Sequence, residues 1–136
     1  MRQADVDVGA PMSYRVTVGL CTRNRPASLD ACLKSLRDLA VPEGWDVSFV
    51  GVDNSRGGDA LPAVEAFAVE APGPVRSVHV TAPGLVAARN AMLEEALTSA
   101  PDWILILDDD ELVGPGWLGA YAAFIERFPG FDIVTG

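Results

Sequence analysis

The sequence predicts an α/β fold, a mainly parallel sheet flanked by helices, on three observations. Short β-branched segments alternate with segments whose apolar residues recur at helical spacing. One segment, Trp103 to Leu107, is apolar at every position, as expected of a strand covered on both faces. Polar clusters also stand at the carboxyl ends of the predicted strands, the rim where such sheets bind ligands.

Each element follows in order. Tyr14 to Cys21 reads as a strand running into the polar loop Thr22-Arg23-Asn24-Arg25-Pro26. Leu29, Cys32, Leu33, Leu36 and Leu39 then form a helical stripe, with Ser28 or Asp30 available as its cap. Asp46 to Val52 is a second strand, ended by Asp53, Asn54, Ser55 and the turn pair Gly57-Gly58. A helix is predicted from Leu61 to Ala71, stopped by Pro72-Gly73-Pro74. Val75 to Val80 gives a third strand, and Leu85, Ala88, Met92, Leu93, Ala96 and Leu97 mark the apolar stripe of the next helix. After the apolar strand come Asp108, Asp109, Asp110 and Glu111, a Gly-Pro-Gly turn, a helix over Trp117 to Phe128, and a fifth strand beginning at Phe131 to Val134.

Composition bounds the partners. The chain has 136 residues, 49% of them hydrophobic, which suits one α/β domain with a real core. Residues 1–13 read as a polar, disordered leader preceding the domain at 14–136, because Asp5 and Asp7 interrupt any apolar run of signal-peptide length. No segment approaches the roughly 18 to 20 apolar residues that a membrane-spanning helix needs. A net charge of −9 argues against nucleic acid as a partner, since backbone binding rests on clustered Lys and Arg. Cys21 and Cys32 match neither a disulfide framework nor a metal motif; they read as buried free thiols of a cytoplasmic protein.

Four consecutive carboxylates repel one another unless they are solvated, protonated or neutralised by a cation. Alone, such a run reads as a solvated turn. At the end of an apolar strand, facing two other polar strand ends, it reads as a divalent-metal site. If extended geometry persists, the pleat sets Asp108 and Asp110 on one side and Asp109 and Glu111 on the other. Two such carboxylates suit magnesium or manganese completed by water and phosphate oxygens. For Asp53 two readings stand open, a ribose or base contact and an Asx turn. Arg89 and Asn90, and likewise Arg23 and Arg25, are candidate phosphate partners or solvated residues. His79, inside a predicted strand, reads as structural. The sequence holds neither a GxGxxG after its first strand nor a GxxxxGK[ST] loop, which weakens a dinucleotide cofactor and removes a P-loop.

Taken together, VTVGLCTRNRPASLDACLKSL, VDNS at Val52 to Ser55, GLVAARNAML at Gly84 to Leu93 and ILDDDE at Ile106 to Glu111 resemble the family 2 glycosyltransferases. The resemblance covers about residues 14 to 136 and implies a Rossmann-like GT-A fold binding a nucleoside diphosphate-sugar, most often a UDP-sugar, across the strand ends. It implies that Thr22 and Asp53 lie near base and ribose and Arg89 near base or phosphates, with Arg23 or Arg25 at the diphosphate. Asp108 and Asp110 would form the DxD pair, Asp110 on Mn2+ or Mg2+ and Asp108 on ribose or metal. The implied reaction is a metal-dependent, inverting hexosyl transfer to an acceptor hydroxyl. In the family the catalytic base follows the fifth strand, so no base is assignable up to Gly136. The chain is therefore expected to be a donor-binding portion, incomplete at its C-terminus and weakly active or inactive alone. An uncovered sheet edge would permit a homodimer. The alternatives are a self-contained nucleotide-binding or regulatory module and, less favoured for want of a basic Gly-rich loop, a nucleotidyltransferase.

Overall fold

The computed structural model describes residues 13–132. Four strands, β1 (Tyr14–Thr22), β2 (Trp45–Asp53), β3 (Val75–His79) and β4 (Trp103–Asp108), alternate with four helices, α1 (Pro26–Arg37), α2 (Leu61–Glu70), α3 (Leu85–Leu97) and α4 (Trp117–Arg127). The strands form one sheet in the order β3-β2-β1-β4, and every pairing is parallel. The predicted α/β fold is therefore the observed one.

The pleat sorts the core into two layers. Val16, Val18 and Leu20 of β1, with Val47 and Phe49 of β2 and Leu105 and Leu107 of β4, pack against α1, α2 and α4. On the opposite face Val50 and Val52 pack against Ala88, Met92 and Ala96 of α3. Alternate residues of one strand thus serve opposite layers. Helix α3 lies close over β1 because Gly19 has no side chain; a Cβ there would sit 2.4 Å from the Met92 sulfur. The chain enters α3 through Gly84 at φ 109, a backbone conformation that L side chains rarely adopt.

Three expectations are corrected, and a fourth lies partly outside the described residues. Among the described residues, strand β4 is not covered on both faces: Ile106 is 47% exposed, because β4 is the last strand described and α3 reaches only as far as Ile104. The α3 stripe is narrower than predicted, with Leu85 and Leu97 exposed and only Ala88, Met92 and Ala96 fully buried. Neither Ser28 nor Asp30 caps α1, which starts earlier with Pro26 in its first turn and the Arg25 carbonyl accepting from the Leu29 amide at 2.9 Å. Of the predicted fifth strand, Phe131 and Asp132 lie in irregular structure and 133–134 fall outside the described residues, as do positions 1–12 of the predicted leader.

Candidate functional site

The carboxyl ends of β1, β2 and β4 open on one cleft of about 430 Å³, within the usual size of a small-molecule site. Its walls include Thr22 at the end of β1 with Arg23 and Arg25 beyond it, Asn54 after β2, Leu85, Ala88 and Arg89 of α3, and Asp108 at the end of β4 with Asp109 and Asp110 beyond it. These segments are far apart in sequence. They meet because parallel strands deliver their carboxyl ends to the same edge.

The acidic run does not stay extended. β4 ends at Asp108, and the chain turns, with the Glu111 amide donating to the Asp108 carbonyl at 3.0 Å and the Asp108 amide donating to Glu111 Oε1 at 2.8 Å. The turn replaces the predicted two-sided pleat, so Asp108, Asp109 and Asp110 all line one cleft. Asp109 is buried, accepting the Thr22 hydroxyl at 2.8 Å and facing Arg25 Nη1 at 3.4 Å. The same Arg25 nitrogen lies 3.6 Å from Asp110, and Arg89 pairs with Asp108 at 3.0 Å. Two guanidinium groups thus hold apart the charge of three carboxylates. Glu111 is not a cleft residue; its side chain closes the turn.

Asp53 is used differently. It is fully buried, and each carboxylate oxygen accepts a backbone amide, Ser55 at 2.8 Å and Ala60 at 2.6 Å. It shares pleat parity with Val47, Phe49 and Gly51, the α2 side of β2, and it does not line the cleft. Of the two readings open for Asp53, the geometry displays the Asx turn. Burial pushes its carboxyl up, but the Ser55 and Ala60 hydrogen bonds outweigh it, and the net effect is a pKa below the ordinary carboxylate value. His79 lies beside this loop, its Nε2 donating to the Ser55 carbonyl at 2.8 Å.

Five cleft residues, Cys21, Asn54, Leu85, Ala88 and Asp109, were not among the site residues expected from the sequence. Asn54 donates its side-chain amide to the carbonyls of Val80 and Ala82, both at 2.8 Å, clamping the β2 end to the loop after β3. Its signal was its place beside Asp53 at a strand end. Leu85 was assigned to the core stripe of α3, and Cys21 to the buried thiols. Both cysteines are free, but Cys21 is only half-buried and lines the cleft, whereas Cys32 is buried. Burial pushes Cys21 up to about 11 and Cys32 to about 12, so neither is a ready nucleophile. Asn90 is exposed and does not line the cleft.

Among the described residues, no group of three or more His, Cys, Asp or Glu side chains is arranged as a metal cage. Asp108 and Asp110, both more than half exposed, instead fit a hard divalent cation whose remaining positions are filled by water and phosphate oxygens. The N-terminal turn of α3 lines the same cleft and carries no side-chain cap, so its amide end adds partial positive charge there.

A parallel α/β layer with a charged cleft at its carboxyl edge defines a class of ligand-binding α/β proteins. Within that class, the model of the family described as glycosyl transferase family 2 matches residues 17–136, and the chain belongs to that family. No curated protein matches the sequence. S. aureus TarS, 24% identical, has the same fold at a TM-score of 0.65 over 83% of this chain and 20% of its own. TarS 1–349 in complex with UDP-GlcNAc gives 21% identity and a TM-score of 0.61 over 89% of this chain and 37% of that one. The mannosyltransferase PcManGT from Pyrobaculum calidifontis, in complex with GDP-Man and Mn2+, gives 24% identity and a TM-score of 0.69 over 92% and 36%. The chain thus spans well under half of each of these structures, and the shared fold is the GT-A type expected from the resemblance.

Proposed function

We propose that this chain binds the donor of a glycosyltransferase that moves a sugar from a nucleoside diphosphate-sugar to an acceptor hydroxyl, with inversion and with a divalent cation. The observation that carries the reading is one cleft in which Thr22, Arg25, Arg89 and the Asp108–Asp110 turn converge with the uncapped amide end of α3. Arg25 and Arg89 suit the diphosphate, because guanidinium groups pair bidentately with phosphate oxygens. Arg23, on the same wall, widens that positive rim. Thr22 and Asn54, at the ends of β1 and β2, line the same cleft and suit ribose and base. Asp53 acts through the loop it folds. Asp110, with Asp108, holds Mn2+ or Mg2+, which when bound stabilises the departing nucleoside diphosphate as a Lewis acid. The base that takes the acceptor proton is assigned to no described residue.

UDP is the first donor nucleotide to test and GDP the second, since UDP-GlcNAc and GDP-Man occupy the two neighbours. Saturation-transfer NMR with UDP-GlcNAc and GDP-Man, each with Mg2+, is expected to light up base and ribose protons of one of them. Absence of signal from both would contradict the reading. Pyrophosphate release from a nucleoside triphosphate and a sugar phosphate would favour a nucleotidyltransferase instead. Tight metal-independent nucleotide binding would favour a regulatory module. Dimerisation through the outer edge of β4, which is unpaired among the described residues, belongs to the same proposal and is read by sedimentation. No helix among the described residues is long and apolar enough to cross a membrane.

A further inference from the structure

The charge pattern of the cleft assigns Arg25 a role beyond pairing with phosphate. One nitrogen, Nη1, faces Asp109 at 3.4 Å and Asp110 at 3.6 Å, so a single guanidinium spans two carboxylates. Asp109 cannot follow Arg25 if the arginine moves, because Thr22 anchors it at 2.8 Å and its side chain is only 8% exposed. Arg25 and Asp110 are the movable members, their side chains 57% and 58% exposed. Arg25 also sits at the N-cap of α1, where a helix end disfavours added positive charge. Its position there is held by the β4 turn.

We propose that Arg25 is a built-in counter-cation of the β4 turn that couples cation binding to diphosphate binding. The inference rests on the donor-binding reading of the same cleft. A divalent cation arriving alone meets Asp110 already paired with Arg25 and Asp108 with Arg89, and is repelled by the guanidinium charge. A cation arriving with a diphosphate brings the anion to which Arg25 transfers, so Asp110 is released at the moment it is needed. Half-exposed ion pairs are weak, which leaves the exchange reversible. Because coupling is reciprocal, the cation must tighten the diphosphate by the same factor. Arg25 is thus a positioning residue that selects a metal-complexed diphosphate over either partner alone.

Mn2+ titration of the full chain, followed by electron paramagnetic resonance with and without UDP, tests this on wild type, Arg25→Gln and Arg25→Lys. Wild type is expected to bind Mn2+ weakly alone and about tenfold more tightly with UDP, the size of one nearby charge in water. Arg25→Gln should tighten Mn2+ alone by about tenfold and shrink the UDP effect correspondingly, while Arg25→Lys keeps the coupling. Unchanged or weaker Mn2+ binding by a folded Arg25→Gln, with the UDP effect intact, would overturn the inference and leave the donor-binding reading standing. No Mn2+ binding by any variant, even with UDP, would overturn both.

Discussion

Two acidic strand ends of this chain look alike in sequence and behave in opposite ways. Asp53 ends β2, and Asp108 ends β4 with Asp109 and Asp110 following it, at the same edge of the sheet. Asp53 spends both oxygens on buried amides of its own loop. Asp108 and Asp110 are more than half exposed and are held only by arginine side chains. The difference teaches that position at the carboxyl edge marks where a ligand can bind, whereas unspent hydrogen-bonding capacity marks which acid can bind it.

The strongest way to break the comparison is Asp53→Ala. It leaves the Ser55 and Ala60 amides without their acceptor, and a loss of about 3 kcal/mol in urea unfolding is expected from two buried donors. A loss below about 0.5 kcal/mol, the range of ordinary surface changes, would place Asp53 with the exposed acids. Protonation should do part of the same. The Asp53 carboxyl is held below its ordinary pKa, so its stabilisation is complete above that value and is lost as pH falls below about 4. Unfolding free energies measured down the acid range should fall more steeply for wild type than for Asp53→Asn. Smaller still is Thr22→Val, which removes the hydroxyl bond to buried Asp109 and should cost about 1.5 kcal/mol. That variant sharpens the comparison by marking Asp109 as the structural member of the β4 turn.

Much of this was readable in advance, and for local reasons. The predicted helix Leu85–Leu97 is α3 itself, because Pro83-Gly84 before it and the apolar spacing within it are both local signals. The cleft residues Thr22, Arg23, Arg25, Arg89, Asp108 and Asp110 come together at the edge where the crevice rule placed them. What escaped prediction depends on contacts between distant segments. That β4 is the edge strand among the described residues follows from strand order, which no run of apolar residues encodes, so Ile106 is expected buried and stands 47% exposed. The turn after Asp108 is closed by Glu111, an option that four consecutive acids do not announce. Asp53 was separable in principle, since its parity with Phe49 and Gly51 turns it toward α2 rather than α3.

The most direct test of the central claim is calorimetric titration with UDP, with and without Mn2+, on wild type and Asp110→Ala. Because the Asp110 side chain is exposed, the variant should keep wild-type stability within about 0.5 kcal/mol. The account predicts Mn2+-dependent UDP binding in wild type and its loss in the folded variant. Equal binding in both proteins, or binding indifferent to Mn2+, would contradict it.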